Sequence, residues 1–560
     1  MDIRKTLLWV VFSVSGIMLF NNYQISNGQN PLPLFAPPQA TNPNSPKQES
    51  ANTNISSVPQ VIDQKAKVID APINSVETTQ DTPSKTLVLK NDLLEIEISN
   101  KGGTITHSIL KKHTENKQPV VLFNTEKQTT YLARSGLTAV GLELPNHNDI
   151  FLDKVIQKDQ QVVFSATKNG VTLEKKYTLE PNSYVIKVEN KITNQTANPI
   201  SPYLYAELVK DSNIVVESQF YSTFTGPAIY TDKQKYKEVD FNDIEKKKYK
   251  LPEPQEAGES GWIAMVQHYF ATAWIPNPES SREVYFDKLD KNLYRVGVKS
   301  AIAPIAPGAS FSQKSKLFVG PEEDELLHQV APGFDLIKDY GYLTIIAKPL
   351  FWVMMQIHQV VQNWGWAIII LTIFIKIIFF PLSAASYKSM ARMKEVQPRL
   401  VQMKEQYKNE PQKLNQAMMT MYKQEKINPL GGCLPVLIQI PVFISLYWVL
   451  LLSVEMRGAP WLGWIHDLSK PDTLLSDLVG LSIPIGILPI IMAVSMYIQT
   501  KLNPTPPDPI QAKVMLYMPL AFSLMFFFFP SGLVLYYIVN NVLSIGQQWQ
   551  INKMFGVKNS

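Results

Sequence analysis

A single charged residue lies within a long apolar run in the second half of the chain. Lys376 stands between Ile375 and Ile377. A lysine at the centre of a membrane helix costs roughly 2.5–3.5 kcal/mol on insertion scales, so it needs either a function or a path to water. The ammonium either faces a wet recess that attracts acidic segments of another polypeptide, or snorkels to the interface, because Pro381 follows about 8 Å later along a helix. The residues alone leave both interpretations open.

Four further polar residues interrupt apolar segments. Thr372 precedes Lys376 by one helical turn, so the two share a helix face. Gln439 stands between two isoleucines, and Tyr536 and Tyr537 lie in the last apolar run. Each has a simpler interpretation, since a threonine bonds its own helix backbone and tyrosines mark an interfacial aromatic belt. The residues alone leave these interpretations open, and it is the family resemblance given below that implies that these residues, with Lys376, line a polar groove.

A groove of this kind would perform transfer rather than covalent chemistry. An unsatisfied backbone group in hydrocarbon costs several kcal/mol, and a polar recess within the bilayer lowers that cost for a chain that must cross. Near Gln439, the apolar residues Ile440 and Phe443 are candidates for contact with a passing hydrophobic helix.

Long apolar side chains recur at helical spacing between the apolar run that contains Lys376 and the run that contains Gln439. Pro411 breaks this pattern. The pattern predicts a helical hairpin with a methionine-rich seam. Ordinary packing of two helices explains it, and so does an adaptable surface that receives apolar nascent chains. The seam candidates are Met390, Met393, Leu400, Met403, Met418 and Met419.

No motif in the sequence indicates catalysis, a metal or a cofactor. There is no phosphate-binding G-x-x-x-x-G-K-[ST] pattern, nucleophile elbow or cluster with metal-ligand spacing. Cys433 is the only cysteine, which excludes an intramolecular disulfide and reads as inert packing. The lone histidines His107 and His268 are expected at the surface or in the core rather than as ligands. A net charge of +5 over 560 residues does not indicate DNA binding.

The mean hydropathy of −0.06 hides a sharp division along the chain. Composition predicts a retained signal anchor at 1–23, a flexible Pro/Asn/Ser-rich tether at 24–84, an all-β domain at 85–320, a linker with an interfacial amphipathic helix at 321–363, a helical membrane core at 364–550 with the hairpin at 382–430, and a short tail at 551–560.

The all-β assignment rests on alternation with a period of two. Leu94, Ile96 and Ile98 alternate with polar residues, which is typical of a half-buried strand. Asn169-Gly170 separates two such runs, at 161–168 and 171–179, and predicts a tight hairpin. The pattern continues to about residue 319 and favours one large sandwich.

Loop charge predicts the orientation. Five apolar runs, at 364–380, 434–453, 481–499, 514–529 and 533–547, are candidate spans, and the anchor makes six. The loop at 382–430 holds nine Lys or Arg against four acids, whereas the loop at 454–480 holds two against four. Positive loops stay inside, so both termini are predicted to be cytoplasmic and the β domain periplasmic.

Four stretches resemble signatures of the YidC family of membrane insertases, in the order and spacing of its Gram-negative form. They are PLSAASYKSMARMKEVQP at 381–398, NPLGGCLPVLIQIP at 428–441, WIHDLS at 464–469 and FPSGLVLYYIVNN at 529–541. The resemblance is strong over residues 331–550 and weak over the β domain.

The resemblance implies a multi-pass inner-membrane insertase and chaperone that works alone or with the Sec translocon. It implies nascent membrane proteins, translocon subunits, the translating ribosome and the lipid bilayer as partners, and a β-supersandwich as the outer domain. The family has a basic residue at the position of Lys376, facing a hydrophilic groove open to cytoplasm and lipid. That residue is usually Arg, so Lys376 keeps the charge but loses the planar fork. A small-solute transporter is the alternative, although it predicts internal repeats and several intramembrane charges.

Overall fold

The computed structural model describes residues 57–59, 85–115, 117–125, 129–153, 160–213, 223–407, 410–425, 434–480, 484–503 and 509–554. The predicted anchor, most of the predicted tether, Cys433 and the end of the tail lie outside the described residues. The chain forms two compact units, one ending at Lys338 and the other beginning at Asp339.

The first unit is built from two antiparallel sheets. Eight strands form one sheet in the order β1-β2-β3-β5-β10-β16-β15, with β4 beside β3, and nine form the other in the order β12-β11-β13-β14-β17-β9-β8-β7-β6. The strands are β1 Thr86–Lys90, β2 Leu94–Ser99, β3 Thr104–Glu115, β4 Gln118–Val121, β5 Tyr131–Thr138, β6 Leu152–Asp153, β7 Gln161–Lys168, β8 Val171–Leu179, β9 Val185–Asn194, β10 Tyr203–Asp211, β11 Gly226–Thr231, β12 Lys235–Glu238, β13 Gly261–Val266, β14 Phe270–Pro276, β15 Arg282–Asp290, β16 Leu293–Ala301 and β17 Ser310–Pro321.

The predicted hairpin forms where the sequence places it. Lys168 pairs with Val171 across a two-residue turn. Asn169 and Gly170 both adopt positive φ, at 50° and 73°. That geometry matches the right-handed twist of paired strands and favours Asn-Gly. Local sequence therefore determines this part of the sheet.

Polar contacts join the two sheets as well as apolar packing. The indole Nε1 of Trp274 donates to the Glu207 carbonyl at 3.2 Å. Lys175 is fully buried, and its Nζ donates to the carbonyls of Gly102 and Ser135 at 2.6 and 2.7 Å. The same ammonium lies 4.9 Å from the centre of the Phe151 ring. Burial lowers the pKa of Lys175 to about 7.

A buried ion cluster lies on β5, β10 and β16. The Glu207 side chain is fully buried, forms an ion pair with Arg134 and accepts the Tyr285 hydroxyl at 2.8 Å. Arg295 Nη1 lies 3.5 Å from the same carboxylate and donates to the Ser57 carbonyl at 2.8 Å. Ser57 belongs to the predicted tether, so part of that segment lies against the β sandwich.

The segment after the last strand also packs on the sandwich instead of forming a free linker. A short helix, α2 (Asp324–Val330), is followed by a 3-10 turn at Phe334–Ile337. The Phe334 ring packs edge-on against Trp262 and Phe318, at centroid distances of 5.0 and 5.2 Å. These aromatic contacts bind the start of the predicted linker to the first unit. The other helix of this unit, α1, spans Phe241–Glu245.

The second unit is helical. Its helices are α3 Thr344–Val361, α4 Trp364–Ile378, α5 Phe380–Gln406, α6 Pro411–Gln424, α7 Leu434–Leu452, α8 Leu474–Val479, α9 Ile487–Leu502, α10 Pro509–Ser523 and α11 Ser531–Met554, with 3-10 turns at Gly341–Leu343, Val454–Met456 and Leu524–Phe528.

Within the described residues, no single helix combines the length and hydropathy required to cross a membrane. Helices α4 and α5 meet these criteria as a pair, with a 67° bend between them, and three shorter apolar helices cover Gln439–Leu452, Ile487–Leu502 and Ala512–Phe528. The count of six spans stays a prediction. Pro381 lies in the first turn of α5, where a missing N–H costs nothing, so a second helix begins directly after α4 ends at Ile378.

Helix α3 lies in the segment of the predicted interfacial helix. Ala347, Phe351 and Met354 are buried in the core of the unit. Trp352 is 63% exposed. The i, i+4 and i+7 spacing of the buried residues fixes the helix rotation and turns Trp352 outward.

Candidate substrate groove

A cavity of about 120 Å³, lined by both polar and apolar side chains, lies among five helices of the second unit. Helices α4 and α5 contribute one wall, and α7, α9 and α11 contribute the rest. Of the described residues that line it, Lys376 alone carries a charge, and none is a carboxylate. The lining consists of Ile375, Lys376, Phe379, Leu382, Ser383, Ser386, Tyr387, Met390, Gln439, Val442, Gln499, Asn503, Asn540 and Ser544.

Lys376 points into this cavity. The residue is only 9% exposed, although it lies two residues before the end of α4. Its Nζ donates to the Ser544 hydroxyl of α11 at 2.6 Å. In this geometry the ammonium is held between helices and does not extend to the end of its own helix. The arrangement is a positive centre surrounded by neutral polar groups, which suits a transient anionic partner.

The neutral polar groups come from all sides of the cavity. Gln439 also contacts the hydroxyl of Tyr536, which is buried beneath it. The Ser386 hydroxyl is buried and has no hydrogen-bond partner among the described residues. A buried donor without a partner costs about 1–3 kcal/mol, which water or a bound polar group would recover. The cavity is therefore built for hydrated or polar contents.

Comparison with known proteins gives the family. Residues 86–353 match the model of the YidC periplasmic domain, and residues 356–558 match that of the 60Kd inner membrane protein. The chain is 54% identical to the membrane protein insertase YidC of Polynucleobacter asymbioticus, with 100% of both chains covered. This chain belongs to the YidC family. It is an inner-membrane protein whose β sandwich is a periplasmic domain.

A second relative agrees with this membership of the YidC family. The YidC insertase of Cupriavidus necator is 52% identical over 99% of this chain and 98% of its own. A crystal structure of an active YidC insertase with its first transmembrane domain resolved is 18% identical, covers 83% of this chain and 92% of its own, and has a TM-score of 0.37.

The structure brings only part of the predicted groove set into the cavity. Lys376 and Gln439 line it, whereas Thr372 does not: its side chain is fully buried and its hydroxyl donates to the Ile368 carbonyl at 2.7 Å. Tyr536 and Tyr537 lie outside the lining as well. Thr372 therefore follows the simpler interpretation, because its hydroxyl satisfies its own helix backbone.

The two residues predicted to contact a passing hydrophobic helix, Ile440 and Phe443, lie in different environments. Ile440 is 45% exposed on the outer surface of α7, where a hydrophobic helix would meet it. Phe443 instead packs inward, with its ring 5.1 Å from that of Tyr537 and 6.4 Å from that of Tyr536. Tyr536 and Tyr537 thus act as packing partners of Phe443 in the core beside the groove.

Several lining residues escaped the sequence prediction. Ser383, Ser386, Tyr387 and Met390 follow one another at i, i+3, i+4 and i+7, which places them on one helix face. These residues lie in the predicted helical hairpin at 382–430, where only the long apolar side chains were candidates, so the polar residues of this stripe were not assigned to the groove. The pairs Gln499 with Asn503 and Asn540 with Ser544 are separated by four residues, which is the same helical signal.

The helical hairpin of α5 and α6 has a seam that differs in membership from the predicted one. Val396, Leu400 and Met421 are buried in it, and Met393, Met403 and Met418 pack against them. Met390 lines the cavity instead, and Met419 is 57% exposed. Met418 and Met421 are three residues apart and share a face, which turns the intervening Met419 away from the seam.

Proposed function

We propose that this chain inserts proteins into the bacterial inner membrane and helps them to fold, using the cavity around Lys376 as its hydrophilic groove. The observation that carries the proposal is the buried ammonium in a neutral polar cavity whose described lining contains no carboxylate. An ammonium within a membrane segment is energetically costly, so we expect it to have a function.

The substrate would use the groove in two ways. Its hydrophobic segment would follow the surface of α7 near Ile440, which is 45% exposed, while its polar segment passes through the cavity. A carboxylate about 4 Å from the ammonium gains about 4 kcal/mol at an effective dielectric constant of 20. Acidic extracytoplasmic tails are therefore the class of substrate that Lys376 favours.

The hairpin of α5 and α6 would receive the apolar segment first. Its seam includes four methionines, whose side chains adapt to differently shaped partners. The charge pattern of the loops supports a multi-pass protein with both termini in the cytoplasm, where a translating ribosome would deliver the nascent chain. Cooperation with the Sec translocon is part of the proposal, and insertion itself requires no covalent step.

The test is insertion by the purified protein alone in proteoliposomes. The substrate is a small single-span protein with an acidic N-terminal tail, and protease protection of the tail measures insertion. We expect Lys376→Ala to reduce protection of this substrate and to spare a version whose tail acids are replaced by amides. Lys501→Ala, which removes an exposed lysine at the end of α9, is the matched control.

Each outcome has a defined meaning. Equal protection of the acidic tail by Lys376→Ala and the unaltered protein would reject the groove charge while leaving insertion in place. Protection no higher than in empty liposomes, with a folded preparation, would reject autonomous insertion and favour a translocon-dependent chaperone or a transporter.

A further inference from the structure

The position of the groove charge depends on one serine. Lys376 Nζ donates to Ser544 Oγ at 2.6 Å, and Ser544 Oγ donates to the Asn540 carbonyl at 2.7 Å. A serine hydroxyl has one proton and two lone pairs. Because the proton is directed at Asn540, only lone pairs face Lys376. An ammonium has donors and no acceptor, so the two groups are complementary.

The surroundings of this hydroxyl include a third helix. Tyr387 on α5 lines the same cavity as Ser544. The hydrogen bonds of the Ser544 hydroxyl link α4 to α11, because it accepts from Lys376 and donates within its own helix. Ser544 itself is only 2% exposed. The hydroxyl is thus a fixed acceptor for the ammonium.

Without this acceptor, the lysine has another place to go. Lys376 is in the last turn of α4, which ends at Ile378. Its flexible four-carbon stem can carry the ammonium past the end of the helix toward water. The hydrogen bond to Ser544 opposes that movement. The hydrogen bond to Ser544 therefore favours the position inside the cavity over the position at the membrane interface, which are the two positions that the sequence allows for this charge.

We propose that Ser544 is a positioning residue for the groove charge, and that it holds the Lys376 ammonium inside the cavity where a substrate carboxylate reaches it. This inference rests on the proposed function, since it assumes that acidic substrates use the cavity. The dependence on Ser544 follows from the lysine: an arginine presents five donors in a rigid fork and reaches several neutral acceptors of the cavity at once.

The experiment compares four variants of the full chain in proteoliposomes. Ser544→Ala removes the acceptor and Ser544→Thr retains it. The double variant Lys376→Arg/Ser544→Ala supplies a guanidinium, which can donate to several acceptors of the cavity and does not depend on Ser544. Ser453→Ala is the matched control, because Ser453 is also fully buried and its hydroxyl also donates to a carbonyl one turn earlier, that of Val449, yet it lies outside the cavity lining.

We expect Ser544→Ala to slow insertion of the acidic-tail substrate about tenfold, the effect of one hydrogen bond to a charged group. Insertion of the neutral-tail substrate stays unchanged. Ser544→Thr and the double variant recover the acidic-tail rate, and Ser453→Ala has no effect. Equal slowing of both substrates by Ser544→Ala, or no slowing of either, would overturn the inference.

A second readout follows the amine itself. Acylation of Lys376 by a water-soluble amine reagent, quantified by mass spectrometry, should accelerate several-fold in Ser544→Ala and not in Ser544→Thr, because the freed amine reaches water. Unchanged acylation in Ser544→Ala would refute the positioning role even if insertion fell. Failure of the unaltered protein to insert either substrate would instead reject the proposed function, and with it this inference.

Discussion

The buried lysine of the periplasmic domain gives the domain a predictable dependence on pH. Lys175 lies between the two sheets, and burial lowers the pKa of its ammonium from the usual 10.5 to about 7. Between these two values the unfolded chain holds the proton and the folded chain has released it. Stability therefore rises with pH across this window, because folding is coupled to proton release. Replacing the lysine with methionine removes the coupling.

The size of the effect follows from the two pKa values. Each pH unit inside the window changes the free energy of unfolding by about 1.4 kcal/mol. From pH 7.5 to 9.5 the unaltered domain should gain about 2.5 kcal/mol relative to Lys175→Met. The variant also leaves the Gly102 and Ser135 carbonyls without their donor, a constant cost of roughly 1–3 kcal/mol for each group at every pH.

Urea unfolding of the isolated domain, residues 85–338, at several pH values from 7.5 to 9.5 measures this difference. The buried indoles of Trp262 and Trp274 report unfolding by fluorescence. Lys176→Met, on the opposite face of β8, controls for the loss of one positive charge. Parallel stability curves for the unaltered domain and Lys175→Met would show that the Lys175 amine has the same protonation in both states, and would refute the reasoning.

Three further predictions concern the ion cluster, the cavity and the hairpin. Glu207→Ala leaves two buried arginines without their shared carboxylate, so we expect a loss of about 3–5 kcal/mol and a calorimetric melting temperature lower by roughly 6–20 °C. Ser386→Ala should slow insertion of acidic tails because it removes a free donor from the cavity, whereas Ser445→Ala, an equally buried serine outside the lining, should not. Met421→Asp places a charge in the hairpin seam and should speed proteolysis of α6, whereas Met419→Asp, on the exposed face, should leave the rate unchanged.

Sequence reasoning succeeded where the information is local. The Asn169-Gly170 turn specifies its hairpin because positive φ at two successive positions is available to few residue pairs. The placement of β10 between β5 and β16 has no such local signal, since those strands are about 70 and 90 residues away in the chain. Strand alternation identified the sandwich, but it does not encode which strands become neighbours.

The same limit applies to the groove. Lys376 was found because a charge in an apolar run is costly and therefore conspicuous. Ser544 was not, because a serine in a helix has no distinctive cost, and its role arises from a contact with a residue 168 positions away. In the hairpin, Met418, Met419 and Met421 nearly fill one helical turn, so the sequence does not fix which of them faces the seam.

Helix α5 connects the two parts of the chain that we propose handle substrate. One face of its first three turns lines the cavity, and further along the same helix Val396 and Leu400 form the hairpin seam. A helix of 27 residues is about 40 Å long, and a tilt of about 10° around its middle moves each end by about 3.5 Å, more than the length of a hydrogen bond. An apolar segment that inserted into the seam would tilt α5 and would thereby displace Ser386 at the cavity end of the same helix. Pro398 removes one backbone hydrogen bond from this helix, and it does so within the seam, between Val396 and Leu400.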